Sequence, residues 1–195
     1  MKTHKNAKFH TTIATLLLFS IGLLLSSNSL AAPHVFLHHI GEAYGGGIIF
    51  YVYDDGQHGL IAARADQNGG NSVRWDGGTN INTRARADGV GAGKANTVLI
   101  IANQAPVDGN PFAATVCNEY TGGGYGDWYL PSDYELSLLF LQIHGKPGFL
   151  GGLGTYYWSS TELYSDMAVS RSLATGKGVQ VYKSEEILVR SIRAF

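Results

Sequence analysis

A single cysteine, Cys117, stands in 195 residues, so no disulfide can form within the chain. A domain of this size without one is held by packing and hydrogen bonding alone. Cys117 reads as a small buried apolar residue, with an intermolecular disulfide as the alternative. Charge is also sparse, at 15% Asp, Glu, Lys and Arg, and neither sign dominates. That excludes a generally basic, nucleic-acid-binding protein. Beyond the first 31 residues no apolar run is long enough to cross a bilayer. Internal repeats and low-complexity tracts are absent as well.

The familiar catalytic motifs are missing. In "GVGAGKAN" a phosphate loop would need a glycine at Asp88 and a Ser or Thr at Ala95. The dinucleotide glycine spacing fails in the same stretch. Ser159 and Ser160 have His58 and His144 as candidate partners, but no nucleophile-elbow motif surrounds them. Nothing singles out the carboxylate pair that a glycosidase needs.

What is present begins with a basic start at Lys2, Lys5 and Lys8, then the apolar run "IATLLLFSIGLLL", then small residues at Ser29 and Ala31. This reads as a secretory signal peptide over 1–31, cut after Ala31, with an uncleaved membrane anchor as the rival reading. Its removal takes three lysines and no acid, leaving 11 Lys and Arg against 15 Asp and Glu, a formal charge of −4. Residues 32–42 read as a linker. His34 and His38 would share a helical face there, with His39 beside them, but no acidic or cysteine partner marks them as metal ligands, so the segment reads as a plain tail.

From residue 43 onward the pattern is that of an α+β domain. "GGIIFYVYDDGQHGLIAA" predicts a hairpin turning at Asp54-Asp55-Gly56. Residues 66–93 are polar and glycine-rich around Trp75 and read as a long surface excursion. Lys94 to Gln104 predicts a helix with Ala95, Val98, Leu99 and Ala102 on its inner stripe. A second helix follows, with Pro111 in its first turn and Phe112, Val116 and Tyr120 spaced by four. "SDYE" is a capping box at Ser132 and Glu135 and opens a third helix carrying Leu136, Leu139, Phe140 and Ile143. "DWYLP" crosses the core before it. The last third reads as an antiparallel meander, "TYYWSSTE", "MAVSRSLAT", "GVQVYK" and "ILVRSIRAF". Arg190 and Arg193 are oddly spaced, so one should point inward and need Glu135 or Asp133.

Seven motifs in order, "GGIIFYV", "HGLIAA", Trp75, "GAGKANT", "GDWYLPSDYELSLL", "YYWSSTE" and "VRSIRAF", carry a resemblance that spans residues 43–195. The chain resembles the C-terminal domain of the Legionella collagen-like adhesin and its exported bacterial relatives, without the collagen-like repeats. The resemblance implies a C-type-lectin-like fold, related to the formylglycine-generating-enzyme group, whose first and last strands pair. It implies binding of an extracellular glycan, sulfated glycosaminoglycan included, or of a protein, and a homotrimer. The catalytic cysteines of the formylglycine-generating enzymes and the calcium-ligating Glu-Pro-Asn, Gln-Pro-Asp and Trp-Asn-Asp motifs of lectins are not found here. The expectation is therefore a non-catalytic, calcium-independent module without cofactor or metal. A secreted enzyme such as a hydrolase and a structural part of a surface assembly are the alternatives.

In related domains the diversified face lies between the "WSS" strand and the terminal strands. Glu162, Tyr164, Asp166, Met167, Arg171, Gln180, Tyr182 and Lys183 are the candidate ligand-binding residues in that region. Tyrosine and arginine on a rigid sheet give large contact area at low entropy cost. Arg64, Arg74, Arg84 and Arg86 form a second candidate, an anion patch, since guanidinium suits sulfate. Its alternative is four ordinary surface arginines balanced by Asp66, Asp76 and Asp88.

Overall fold

The computed structural model describes residues 37–143, 145 and 155–195. The expected signal peptide, residues 32–36 of the expected linker (His34 among them) and His144 lie outside the described residues. No helix among the described residues is long and apolar enough to cross a membrane.

The fold is α+β, with two antiparallel sheets and, among the described residues, three α-helices. The first sheet has the order β1 (Ala43–Tyr44), β2 (Gly47–Tyr53), β3 (His58–Ala63), β7 (Ile192–Ala194). The second is a three-stranded meander of β4 (Tyr156–Glu162), β5 (Met167–Ser172) and β6 (Gly178–Tyr182). The expected meander thus ends at β6, and the chain returns to the first sheet. There β7 pairs with β3, Ala62 opposite Ile192 and Leu60 opposite Ala194, rather than with the first long strand β2. The reason is local: β1 already covers the other edge of β2, so β3 offers the free edge.

Residues 38–42 belong to the domain rather than to a loose tail. The His38 N–H donates to Gly56 O at 2.8 Å, and its ring packs 4.0 Å from Tyr44 and 5.1 Å from Phe195. Glu42, four residues on, is the acidic partner of His38 at 3.0 Å. That hydrogen bond holds the Glu42 carboxyl below its usual range.

The helices sit between the two sheets in sequence. α1 (Ala92–Asn103) turns the opposite way to the expected stripe. Its buried face is Gly93, Asn96, Thr97 and Ile100, while Val98 and Leu99 face outward at 62% and 40% exposure. Satisfied polar groups decide this. Asn96 Nδ2 donates to Ala87 O at 2.7 Å, and the Thr97 hydroxyl accepts the Leu130 N–H at 3.0 Å. α2 (Ala113–Asn118) is shorter than expected at both ends, with Phe112 as its N-cap and both Pro111 and Tyr120 outside the helix. Cys117 is fully buried in it, and burial pushes the thiol up to about 12.

α3 (Asp133–Ile143) opens on the expected box: the Ser132 N–H donates to Glu135 at 2.8 Å and the Glu135 N–H to Ser132 Oγ at 3.2 Å. Glu135 does more than cap. It also accepts the N–H groups of Gly91 at 2.8 Å and Gly93 at 3.2 Å, and the Tyr129 hydroxyl at 3.1 Å. Burial holds its carboxyl above the usual range, and the bonds from Ser132, Gly91 and Tyr129 offset only part of that. Gly93 is required, because a Cβ there would lie 2.4 Å from Glu135 Oε2. The glycines of "GVGAGKAN" therefore do cradle an anion at a helix N-terminus, and the anion is the protein's own carboxylate.

"DWYLP" crosses the core as expected. Tyr129 bonds Ile192 in both directions and joins the cluster under α3, Trp128 packs on Ile49 and Ile61, and Leu130 packs among Trp75 and Trp158. The segment 66–93 is not a surface excursion. Val73, Trp75, Thr83 and Ala85 are buried, and Trp75 Nε1 donates to Ser159 O while Trp158 Nε1 donates to Val73 O.

Arg190 and Arg193 are both buried, against the expectation of one, because only residues 192–194 are strand and the alternation does not reach Arg190. Their partners are Asp66 and Asp127, not Glu135 or Asp133. Arg193 grips the Asp127 carboxylate at 2.7 and 3.0 Å and lies 3.8 Å from the Tyr125 ring. The guanidinium holds Asp127 below the usual carboxylate range. A lowered folded pKa stabilises at pH above the unfolded value, about 3.9, and the gain fades as pH falls through the folded one. Asp127→Asn should therefore lower the melting temperature at pH 7 and pH 5. The gap to the wild type should close as pH drops below about 4. A gap that stays constant down to pH 2 would contradict this pairing.

Candidate functional site

The second sheet has two distinct faces, set by strand register. Trp158, Ser170 and Val179 are cross-strand neighbours on the inner face, with Ala168 and Val181 beside them. Tyr157, Arg171, Val169, Gln180, Met167 and Tyr182 share the other face. Four of the eight candidate ligand residues, Met167, Arg171, Gln180 and Tyr182, are thus brought together. Tyr164 is exposed in the turn before β5, and Asp166 is half-buried beside it.

Arg171 is not free to meet a ligand. Its Nε and Nη2 hold the Asp133 carboxylate at 2.8 and 2.6 Å, and Nη1 donates to Gly176 O at 2.6 Å. Glu162 and Lys183 leave the candidate set altogether, because both side chains are fully buried and pair at 2.6 Å. The Lys183 ammonium also donates to Ile81 O and Ser165 O and sits 4.4 Å over the Trp75 ring. Glu162 accepts the Thr83 and Arg84 N–H groups, both at 2.8 Å. Every polar atom of the pair has protein partners, which is what a buried charge requires.

The four arginines of the anion patch are dispersed in function. Arg74 is taken by Asp108 at 2.8 Å. Arg86 lies 3.9 Å from Glu162. Arg84 is exposed in a left-handed turn at φ 61°, and Arg64 is exposed on its own stretch after β3. The acids expected to balance them do other work: Asp66 pairs Arg190, Asp76 accepts the Gly78 N–H at 2.9 Å, and Asp88 accepts the Tyr134 N–H at 2.9 Å.

Two clefts adjoin the second sheet, and a third shares lining residues with both. One polar cleft, about 280 Å³, gathers Arg74, Asp76, Asn80, Asp166, Tyr182 and Ser184. It joins residues from both candidate sets. Tyr182 stands 55% exposed beside it, while Asp76 is only 2% exposed. A middle cleft of about 500 Å³ shares Arg74 with it. The inner groove, about 570 Å³, lies over Ser170, Val179 and Val181 and shares Ser72 and Glu186 with the middle cleft. Each of the three is lined by at most one of the four arginines.

Asp76, Asn80 and Ser170 were missed by sequence reasoning. The alternation of Val179 and Val181 with Gln180 and Tyr182 was the available sign of a second usable face. Among the described residues no three His, Cys, Asp or Glu side chains cluster as a metal site. The Ser159 hydroxyl donates to Val169 O and Ser160 Oγ accepts from Asn96, while the His58 ring lies at Phe195 O, so these serines and His58 form no catalytic array. No family model matches the chain, and no curated protein matches it.

The geometry separates structural from surface roles. Tyr182→Ala and Gln180→Ala should change stability by no more than about 0.5 kcal/mol. Arg171→Ala should cost about 1.5–3 kcal/mol, because it strips charged hydrogen bonds from Asp133 and Gly176. Urea melts of the three variants check this. Equal midpoints for all three would contradict the assignment.

Proposed function

We propose that the chain is an exported, non-catalytic binding module of the C-type-lectin-like kind, and that the polar cleft beside Tyr182 takes a hydroxyl-rich extracellular glycan. Export rests on the tripartite N-terminus. The lectin-like reading rests on the seven ordered motifs, together with the α+β architecture. The observation that carries the ligand is Tyr182. Its exposed ring stands beside Asp76, Asn80 and Asp166, so an apolar sugar face can lie on the aromatic while hydroxyls meet carboxylates and a carboxamide. The platform is rigid, because the next residue, Lys183, is the buried ammonium. Arg74 is already neutralised by Asp108, and two further carboxylates line the cleft, so a neutral glycan suits it better than a sulfated one.

An array of neutral glycans, sulfated glycans and extracellular proteins tests this, with and without chelator. The expected result is retention on a neutral glycan that survives chelation and falls at least about tenfold in Tyr182→Ala. Retention on sulfated glycans alone, lost on substituting Arg84 and Arg86 and untouched by Tyr182→Ala, would move the site to the arginines. Retention on a protein alone would replace the glycan.

A further inference from the structure

The inner groove contains a feature that the glycan reading does not use. Ser170 is fully buried at its floor, and its Oγ has no hydrogen-bond partner. A buried hydroxyl left unpaired is unfavourable and marks a place where a polar atom belongs. Around it the apolar lining is Val179 and Val181 from β6 with Ile187 and Leu188, and Ser72, Thr155 and Glu186 are the polar lining residues. A sugar would set many of its hydroxyls against the four aliphatic side chains. A flat apolar ring with a single polar tip fits these walls, and the tyrosine side chain has that form.

The groove continues past Ser72 and Glu186 into the middle cleft, where Asn68 and Asn110 offer carboxamides of the kind that pair with main-chain amides. Glu186 is exposed on the shared wall and has no ion-pair partner among the described residues. An exposed carboxylate there favours a cationic neighbour of the ring. β6 is also the edge of its sheet, so an extended segment can lie alongside it.

We propose that the inner groove is a second binding site, which takes a tyrosine side chain presented by an extended segment of a partner protein with a basic residue next to it. The ring packs on Val179, Val181 and Leu188, its hydroxyl meets Ser170 Oγ, and the basic group meets Glu186.

The probes are the capped hexapeptide Ser-Ser-Tyr-Lys-Ser-Ser, its Phe-for-Tyr and Glu-for-Lys analogues, and 4-methylphenol as a free phenol. Binding to the whole protein is read by fluorescence or NMR titration. The tyrosyl-lysyl peptide should bind about tenfold more tightly than the phenylalanyl analogue, the worth of one hydrogen bond. Ser170→Ala should remove that difference while leaving the melting temperature unchanged or higher, since no protein partner is lost. Glu186→Gln should remove the preference for Lys over Glu. Tyr182→Ala should leave all of this intact, which separates the groove from the glycan cleft. The proposal is overturned if no peptide binds, if the Tyr and Phe peptides bind the wild type equally, or if 4-methylphenol binds as tightly as the peptide. A melting temperature lowered by Ser170→Ala would also overturn it, since the hydroxyl would then be part of the frame.

Discussion

Lys183 and Glu162 form an ion pair with no solvent contact, and both the second sheet and the chain over residues 75–86 depend on it. The ammonium ties three segments of the chain together: Ser165 before β5, Ile81 in the long connection, and Glu162 at the end of β4. The carboxylate holds the same connection from its backbone at Thr83 and Arg84. A buried pair gains little over a well-packed apolar core, but losing one member strands the other charge. Its effect here is positional. It draws a polar, glycine-rich segment into the interior, seats Trp75 under the ammonium, and so sets where Asp76 and Asn80 meet Tyr182.

The same device recurs through the domain. Glu135 gathers the turn before α1, the capping box and Tyr129. Arg190 with Asp66 and Arg193 with Asp127 anchor the C-terminal strand, and Arg171 with Asp133 ties β5 to the start of α3. With one buried cysteine and no disulfide, these charged staples join segments far apart in sequence, and the apolar clusters between them supply the bulk of the burial. Few of the charges left over lie close to the clefts, which is why Glu186 and the Asp76–Asp166 wall stand out.

Local patterns in the sequence were readable where the chemistry is local. The hairpin with its Asp-Asp-Gly turn, the Ser132–Glu135 box, the core crossing of "DWYLP" and the buried Leu136 and Leu139 of the third helix all follow from neighbouring residues. What failed depends on partners distant in sequence. α1 was turned by hydrogen bonds from Asn96 and Thr97 to residues 87, 130 and 160, which periodicity cannot register. Arg190 and Arg193 found Asp66 and Asp127, 124 and 66 residues away. At the candidate site, Tyr182 and Asp166 do line one cleft, the first exposed and the second half-buried, whereas Glu162 and Lys183 looked the same on the page and proved to be structure. Alternation along β6 announced two faces, but only the assembled clefts distinguish the polar one from the apolar one.

The central claim, that the buried pair holds the connection which builds the cleft beside Tyr182, is tested most directly by hydrogen exchange at the Thr83 and Arg84 amides in Lys183→Met. Both amides donate to Glu162, so the wild type should protect them about as well as the amides of β5. In Lys183→Met their protection should collapse while β5 remains protected, alongside a loss of about 3–5 kcal/mol in global stability. Thr83 and Arg84 amides that stay as protected as the sheet in the variant would contradict the account.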